Sequence, residues 1–138
     1  METHAFEDIV GGERRELAVL LDAPVLDAFA RSTGDANPLH MDAAFAAGRG
    51  FPGRVAHGLL VCSYFSALVG TMLPGRDCML QSARFDFKRP VIEGETVVFS
   101  LEVLQKVESV RVLVLEARAV GPAGDLRVSG RLQVGFTA

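Results

Sequence analysis

The 138-residue chain has two cysteines, Cys62 and Cys78, and three histidines, His4, His40 and His57. One cysteine lies in an apolar run and the other just after a Pro-Gly turn, far from the dense frameworks that staple small secreted domains, so a reducing cytoplasm is expected. The histidines are widely separated, and nothing around them meets the helical or hairpin spacing of a ligand set, so no metal is expected. A basic stripe is also missing: 14 Lys and Arg are scattered among 17 Asp and Glu, for a net charge of −3. Nucleic acid and anionic lipid surfaces are therefore not expected partners. The opening residues METHAFEDIVGGERRE lack the apolar stretch and cleavage site of a secretory signal.

Between Val55 and Gly75 there is no Asp, Glu, Lys or Arg. This run does not read as a membrane span. It contains Ser63, Tyr64, Ser66 and Thr71, and its helical part from Gly58 to Met72 would reach only about 22 Å against a hydrocarbon core of roughly 30 Å. A buried core helix fits better. With 49% hydrophobic residues, the chain can form one domain over 1–138 with a sizeable core or a subunit interface.

The first half carries helix punctuation. DAPVLDAFARSTG places Asp22 as N-cap, Pro24 in the first turn, Val25, Leu26, Phe29 and Ala30 on one side and Gly34 as the stop. NPLHMDAAFAAG repeats that grammar with Asn37 as N-cap, Pro38 at the first helical position and Gly48 after the last turn. ELAVLLD, upstream of both, is compatible with a short strand. From Met79 onward the period becomes two. In ARFDFKR, Ala83, Phe85 and Phe87 share a face expected to be buried; Val97, Phe99, Leu101 and Val103 share another, as do Leu126, Val128, Gly130, Leu132, Val134 and Phe136. IEGE, KVES and GPAGD separate these strands. Helices followed by long antiparallel strands make an α+β chain, and a helix this apolar must be wrapped by the sheet or covered by a second copy, as in a hot-dog fold. SVRVLVLEARAV, apolar on both faces at its centre, is the segment expected to be exposed in a monomer and covered in a homodimer.

The stretch STGDANPLHMD puts Asp35 five residues before His40 across a helix start. If Asn37 caps that helix, its side chain fixes the loop beside His40. The positive end of the helix and the Asp35 carboxylate then act on the His40 ring with opposite signs. A carboxylate and an imidazole separated by one turn can jointly hold a water and move its protons. Loop chemistry alone also accounts for Asp, Asn, Pro and Gly here. GRGFPG, residues 48–53, matches G-x-G-x-x-G formally, but it follows a helix, contains Pro52 and leads into no alternating strands and helices, so no dinucleotide is expected.

FARSTGDANPLHMDAAFAA resembles the signature of the R-specific enoyl-CoA hydratases, the MaoC-like family, in its Gly-Asp-x-Asn-Pro-aliphatic-His core after an aromatic residue. VAHGLLVCSYFSALVGTMLPG is similar to that family's central helix and QSARFDFKRPVIEGETV to its first long strand. The resemblance implies a single hot-dog domain that adds water to a trans-2-enoyl thioester or removes it from an R-3-hydroxyacyl thioester, with Asp35 and His40 as catalytic pair and no cofactor. It implies a loop-shaping role for Asn37, a contact from Ser66 to Asp35 or the acyl group, and positioning rather than base chemistry for His57. Gly58, opening a buried helix, is the candidate for the backbone N–H that meets the developing enolate oxygen. Acyl-CoA and acyl-carrier-protein thioesters both satisfy this reading. The alternatives outside it are a non-catalytic acyl-thioester binding module, which gains nothing from a water-activating pair, and a thioesterase on the same fold.

Overall fold

The computed structural model describes residues 1–137. Its strands are β1 (Arg14–Leu21), β2 (Cys78–Phe87), β3 (Glu95–Val107), β4 (Val112–Val120) and β5 (Leu126–Phe136). They pair antiparallel throughout, in the spatial order β1-β3-β4-β5-β2. The helices are α1 (Ala23–Thr33), α2 (Pro38–Met41), α3 (Ala43–Gly48) and α4 (Gly58–Thr71).

The inward residues of β3, Val97, Phe99, Leu101 and Val103, are buried and meet α4 through Leu60, Val61, Phe65, Leu68 and Val69. Phe65 lies edge-on to Phe99 and stacks on Phe85. Each such side chain contributes about 1.5–3 kcal/mol by leaving water, so the period-two and helical patterns find their energetic reason in one shared core. This is the hot-dog arrangement, a sheet curled around an apolar helix. Among the described residues no helix is long and apolar enough to cross a membrane.

Three expectations need correction. The helix expected from Asn37 to Gly48 is two: Asp42 takes an extended conformation, ends α2, and caps α3 by accepting the N–H groups of Ala44 and Phe45. A single turn such as α2 has little macrodipole to act on His40. Secondly, β2 is an edge strand. Ala83 and Phe87, expected on a buried face, are exposed, and only Phe85 is half-buried. Thirdly, β4 is the central strand, with Val112, Leu113, Leu115, Ala117 and Ala119 buried within the protomer. The β2 edge strand leaves Met79 and Leu80 exposed.

Candidate active site

α1 ends at Gly34, whose φ of 80° is left-handed and turns the chain out of the helix. Side chains then bond short-range backbone groups in sequence. Thr33 Oγ1 accepts the Asp35 N–H (3.2 Å), Asp35 Oδ1 accepts the Asn37 N–H (3.3 Å), and Asn37 Oδ1 accepts the Leu39 N–H (3.0 Å). This is the Asx and Ser/Thr turn chemistry for which such residues are suited. Asn37 caps α2 as the sequence indicates, and Asp35 is left exposed with one carboxylate oxygen held from behind.

His40 Nδ1 lies 2.7 Å from the carbonyl oxygen of Val55. A carbonyl only accepts, so Nδ1 carries the proton and, in the neutral ring, Nε2 has a free lone pair. His57 is buried, at 2% exposure, and its Nε2 donates to the backbone carbonyl of Asp35 (2.9 Å). The His57 ring stacks on His40 with centroids 4.0 Å apart and packs against Phe29 on another side. His57 therefore joins the Asp35 loop to the N-terminus of α4 and gives His40 a flat support. A ligand-capable atom from each of Asp35, His40 and His57 lies within 4.8 Å of the others.

Two clefts open here. One, of about 310 Å³, is lined by His40, Val55, Gly58, Lys88, Arg89 and Pro90 among others. The second, of about 430 Å³, is lined by Phe29, Thr33, Asp35, His57, Gly58, Leu59 and Phe87. Gly58 and Phe87 line both. Gly58 is the first residue of α4, whose N-terminus has no side-chain cap, so its leading N–H groups are available to an oxyanion. Ser66 departs from expectation. It is exposed on α4 and lines neither cleft, while Asp35 is bonded by the Asn37 N–H instead. The serine of α4 that bonds its own helix is Ser63, through the Leu60 carbonyl (2.6 Å).

Residues 14–120 match the family model described as MaoC like domain. The chain belongs to the MaoC-like family. It is 36% identical over 123 residues to an (R)-specific enoyl-CoA hydratase of Aeromonas caviae, covering 89% of this chain and 92% of the relative. It is 27% identical over 123 residues to a mitochondrial 3-hydroxyacyl-[acyl-carrier-protein] dehydratase of Solanum lycopersicum, covering 88% and 73%. A solved A. caviae (R)-hydratase structure superposes with a TM-score of 0.92 at 34% identity, covering 94% of this chain and 98% of that one.

Two arginines of this MaoC-like domain support the site without having signalled it in the sequence. Arg54 donates from Nε to the His40 carbonyl (2.6 Å) and from Nη2 to Asp27 (2.6 Å), which ties α2 back to α1. Its only sequence clue is its position as the last cation before the uncharged run. Arg127 sits on the outward side of β5 yet is only 7% exposed. It donates to Asp125 (2.6 Å), to both oxygens of Glu95 (2.9 and 2.7 Å) and to the Pro90 carbonyl (2.9 Å), holding the wall of the His40 cleft. Hydrogen bonding to Arg127 draws the Glu95 and Asp125 carboxyls below their ordinary range, and Glu95 in turn raises the guanidinium.

The fold brings Asp35, His40 and His57 together although the two histidines lie far apart along the chain, but the ring geometry does not suit a shared metal. A metal lies in the plane of each imidazole that binds it, whereas His40 and His57 are stacked with planes only 27° apart, so their lone pairs do not converge at the roughly 2.0–2.1 Å of a zinc–nitrogen bond. The remaining nitrogen of His57, Nδ1, is buried and has no hydrogen-bond partner.

Proposed function

We propose that this MaoC-like protein interconverts a trans-2-enoyl thioester and the R-3-hydroxyacyl thioester by adding or removing water, with Asp35 and His40 as the catalytic pair. The observation that carries the proposal is the approach of the Asp35 carboxylate and His40 to within 4.8 Å beside the uncapped start of α4. One water making two ordinary hydrogen bonds spans such a gap. In hydration its oxygen bonds to C3, one of its protons passes to the pair, and C2 takes a proton from the pair. One water is added and both groups return to their starting state. Charge that develops on the thioester oxygen meets the Gly58 N–H, where a donor already in place costs no reorganisation. The bare Nε2 of His40 supports its use as a proton acceptor.

The similarity to both a CoA-dependent hydratase and a carrier-protein dehydratase supports a thioester whose arm ends in phosphate. Lys88 and Arg89 on the His40 cleft suit either carrier electrostatically. The exposed Met79 and Leu80 of the β2 edge support a homodimer, because an unpaired apolar edge strand seeks a partner. The shared core and single sheet support one domain over residues 1–138, and the free thiols of Cys62 and Cys78 support a cytoplasmic setting.

The experiment is hydration of crotonyl-CoA by the parent, Asp35→Asn, His40→Ala and the double variant. Each single change should cost at least the roughly 10²-fold to 10⁴-fold of one acid–base group. The double variant should lose far less than the product of the two, because groups acting on one water work as a unit. Folded Asp35→Asn within about threefold of the parent, a margin far below that range, would overturn the assignment.

A further inference from the structure

The two clefts hold the two halves of the proposed machinery. His40 lines one and Asp35 the other. Residues common to adjacent cavities form the partition between them, and here these are Gly58 and Phe87. The Phe87 ring lies against Gly58 so closely that a Cβ built there would come within 2.9 Å of its Cε1 atom. The ring therefore lies against the first residue of α4, beside the backbone that a thioester carbonyl must approach if Gly58 is its donor.

Within the protomer, the described residues hold that ring only loosely. Phe87 is the last residue of β2, an edge strand, and is 55% exposed. The other aromatics near the core, Phe65, Phe85, Phe99 and Tyr64, pack against one another through stacked, tilted and edge-on pairs, whereas Phe87 has no aromatic partner among the described residues. A ring on a strand end turns about χ1 without disturbing the ladder behind it, in which Phe87 is paired with Val128.

We propose that Phe87 is a specificity-determining residue of the site: its ring partitions the clefts and turns off Gly58 when an enoyl thioester enters, so that the substituents tolerated at C2 are set by the space the ring gives up. The inference rests on the hydratase reading, because only that reading requires one substrate to reach Asp35, His40 and Gly58 together. C2 is bonded to the thioester carbonyl, so a group on C2 lies nearest to the ring, and a straight-chain enoyl group needs less of that space than a 2-methyl-branched one. A single methyl in an apolar site is commonly worth about 10-fold to 200-fold in selectivity.

Two variants test this. Phe87→Ala should raise the ratio of kcat/KM for tiglyl-CoA, the 2-methyl homologue, over that for crotonyl-CoA by roughly tenfold or more. A ratio within about twofold of the parent's, in a folded variant that still hydrates crotonyl-CoA, would overturn the proposal; that change is well short of one methyl's selectivity. Phe87→Trp gives a protein with one tryptophan, since the chain has none. Its emission should shift saturably on titration with butyryl-CoA, which cannot be hydrated, and should do so equally when Asp35→Asn is combined with it. Unchanged emission at butyryl-CoA concentrations that competitively inhibit crotonyl-CoA hydration would show that the ring does not move. Failure of the hydratase reading gives a different result, in which the parent leaves crotonyl-CoA unhydrated while the tryptophan still responds to butyryl-CoA.

Discussion

Glu95→Gln keeps the size of the side chain and removes one of the two carboxylates paired with Arg127. The pair is largely withdrawn from water, with side chains 9% and 23% exposed, and the glutamate receives two charge-assisted bonds at 2.9 and 2.7 Å. Such bonds contribute about 1.5–3 kcal/mol, and stripping a buried charge of its partner costs about 3–5 kcal/mol. Asp125 stays in contact with the guanidinium at 2.6 Å, so the lower range applies. At neutral pH the expected loss is about 2 kcal/mol, or a Tm lowered by roughly 5–10 °C in a chain of this size. The sign with pH follows from Glu95's depressed folded-state pKa. Its stabilising contribution is complete above the unfolded value near 4.5 and is lost as pH falls through the lower folded one. Thermal melts at fixed protein concentration should show a Tm gap between parent and variant that is wide at neutral pH and narrows steadily as the pH is taken below that unfolded value. Because Arg127 also holds the Pro90 carbonyl, the variant should bind substrate less well while retaining the Asp35–His40 pair. A Tm gap constant across this range, or absent at neutral pH, would refute the reasoning.

Arg54→Met keeps the aliphatic stem and loses the bonds to His40 and Asp27. Crotonyl-CoA turnover should fall roughly 10-fold to 10²-fold, the scale for slight misplacement of a catalytic group, and mainly in kcat. Arg54→Lys should recover little, since one ammonium does not reproduce the guanidinium fork; full activity in either variant would remove Arg54 from the supporting structure. For the homodimer, light scattering behind size-exclusion chromatography should give about twice 14.8 kDa. Lysine at Met79 and Leu80 should shift the mass toward the protomer, an exposed charged edge being the usual way strands avoid pairing, and an unchanged dimer would locate the interface elsewhere.

Local physics made much of the molecule legible from one dimension. Asp22, Pro24 and Gly34 bracket α1 because caps and breakers act over three or four residues, and Val97 to Val103 alternate because one face of β3 must be apolar wherever β3 lies. Asn37 reads as an N-cap for the same reason. The break at Asp42 is also local yet not legible, since Asp suits a helix interior poorly but does not by itself forbid it.

Other features depend on which strand stands beside which. Nothing in ARFDFKR or SVRVLVLEARAV reveals that β2 is the edge and β4 the centre, so neither segment shows by itself which apolar face is exposed and which is buried. Ser66 has the right residue type two turns into the right helix, but the direction it faces is set by how α4 sits in the sheet. The meeting of Asp35, His40 and His57 was visible only in part. The spacing of the first two along one loop is local, while the stacking of His57 on His40, the Val55 carbonyl that orients the ring, and the Phe87 ring against Gly58 join residues 15 to 29 positions apart. Sequence records which groups are present and what the chain does over a few residues; the direction in which a lone pair points and what occupies the space before it are decided by tertiary packing, since those quantities depend on distances that no local rule sets.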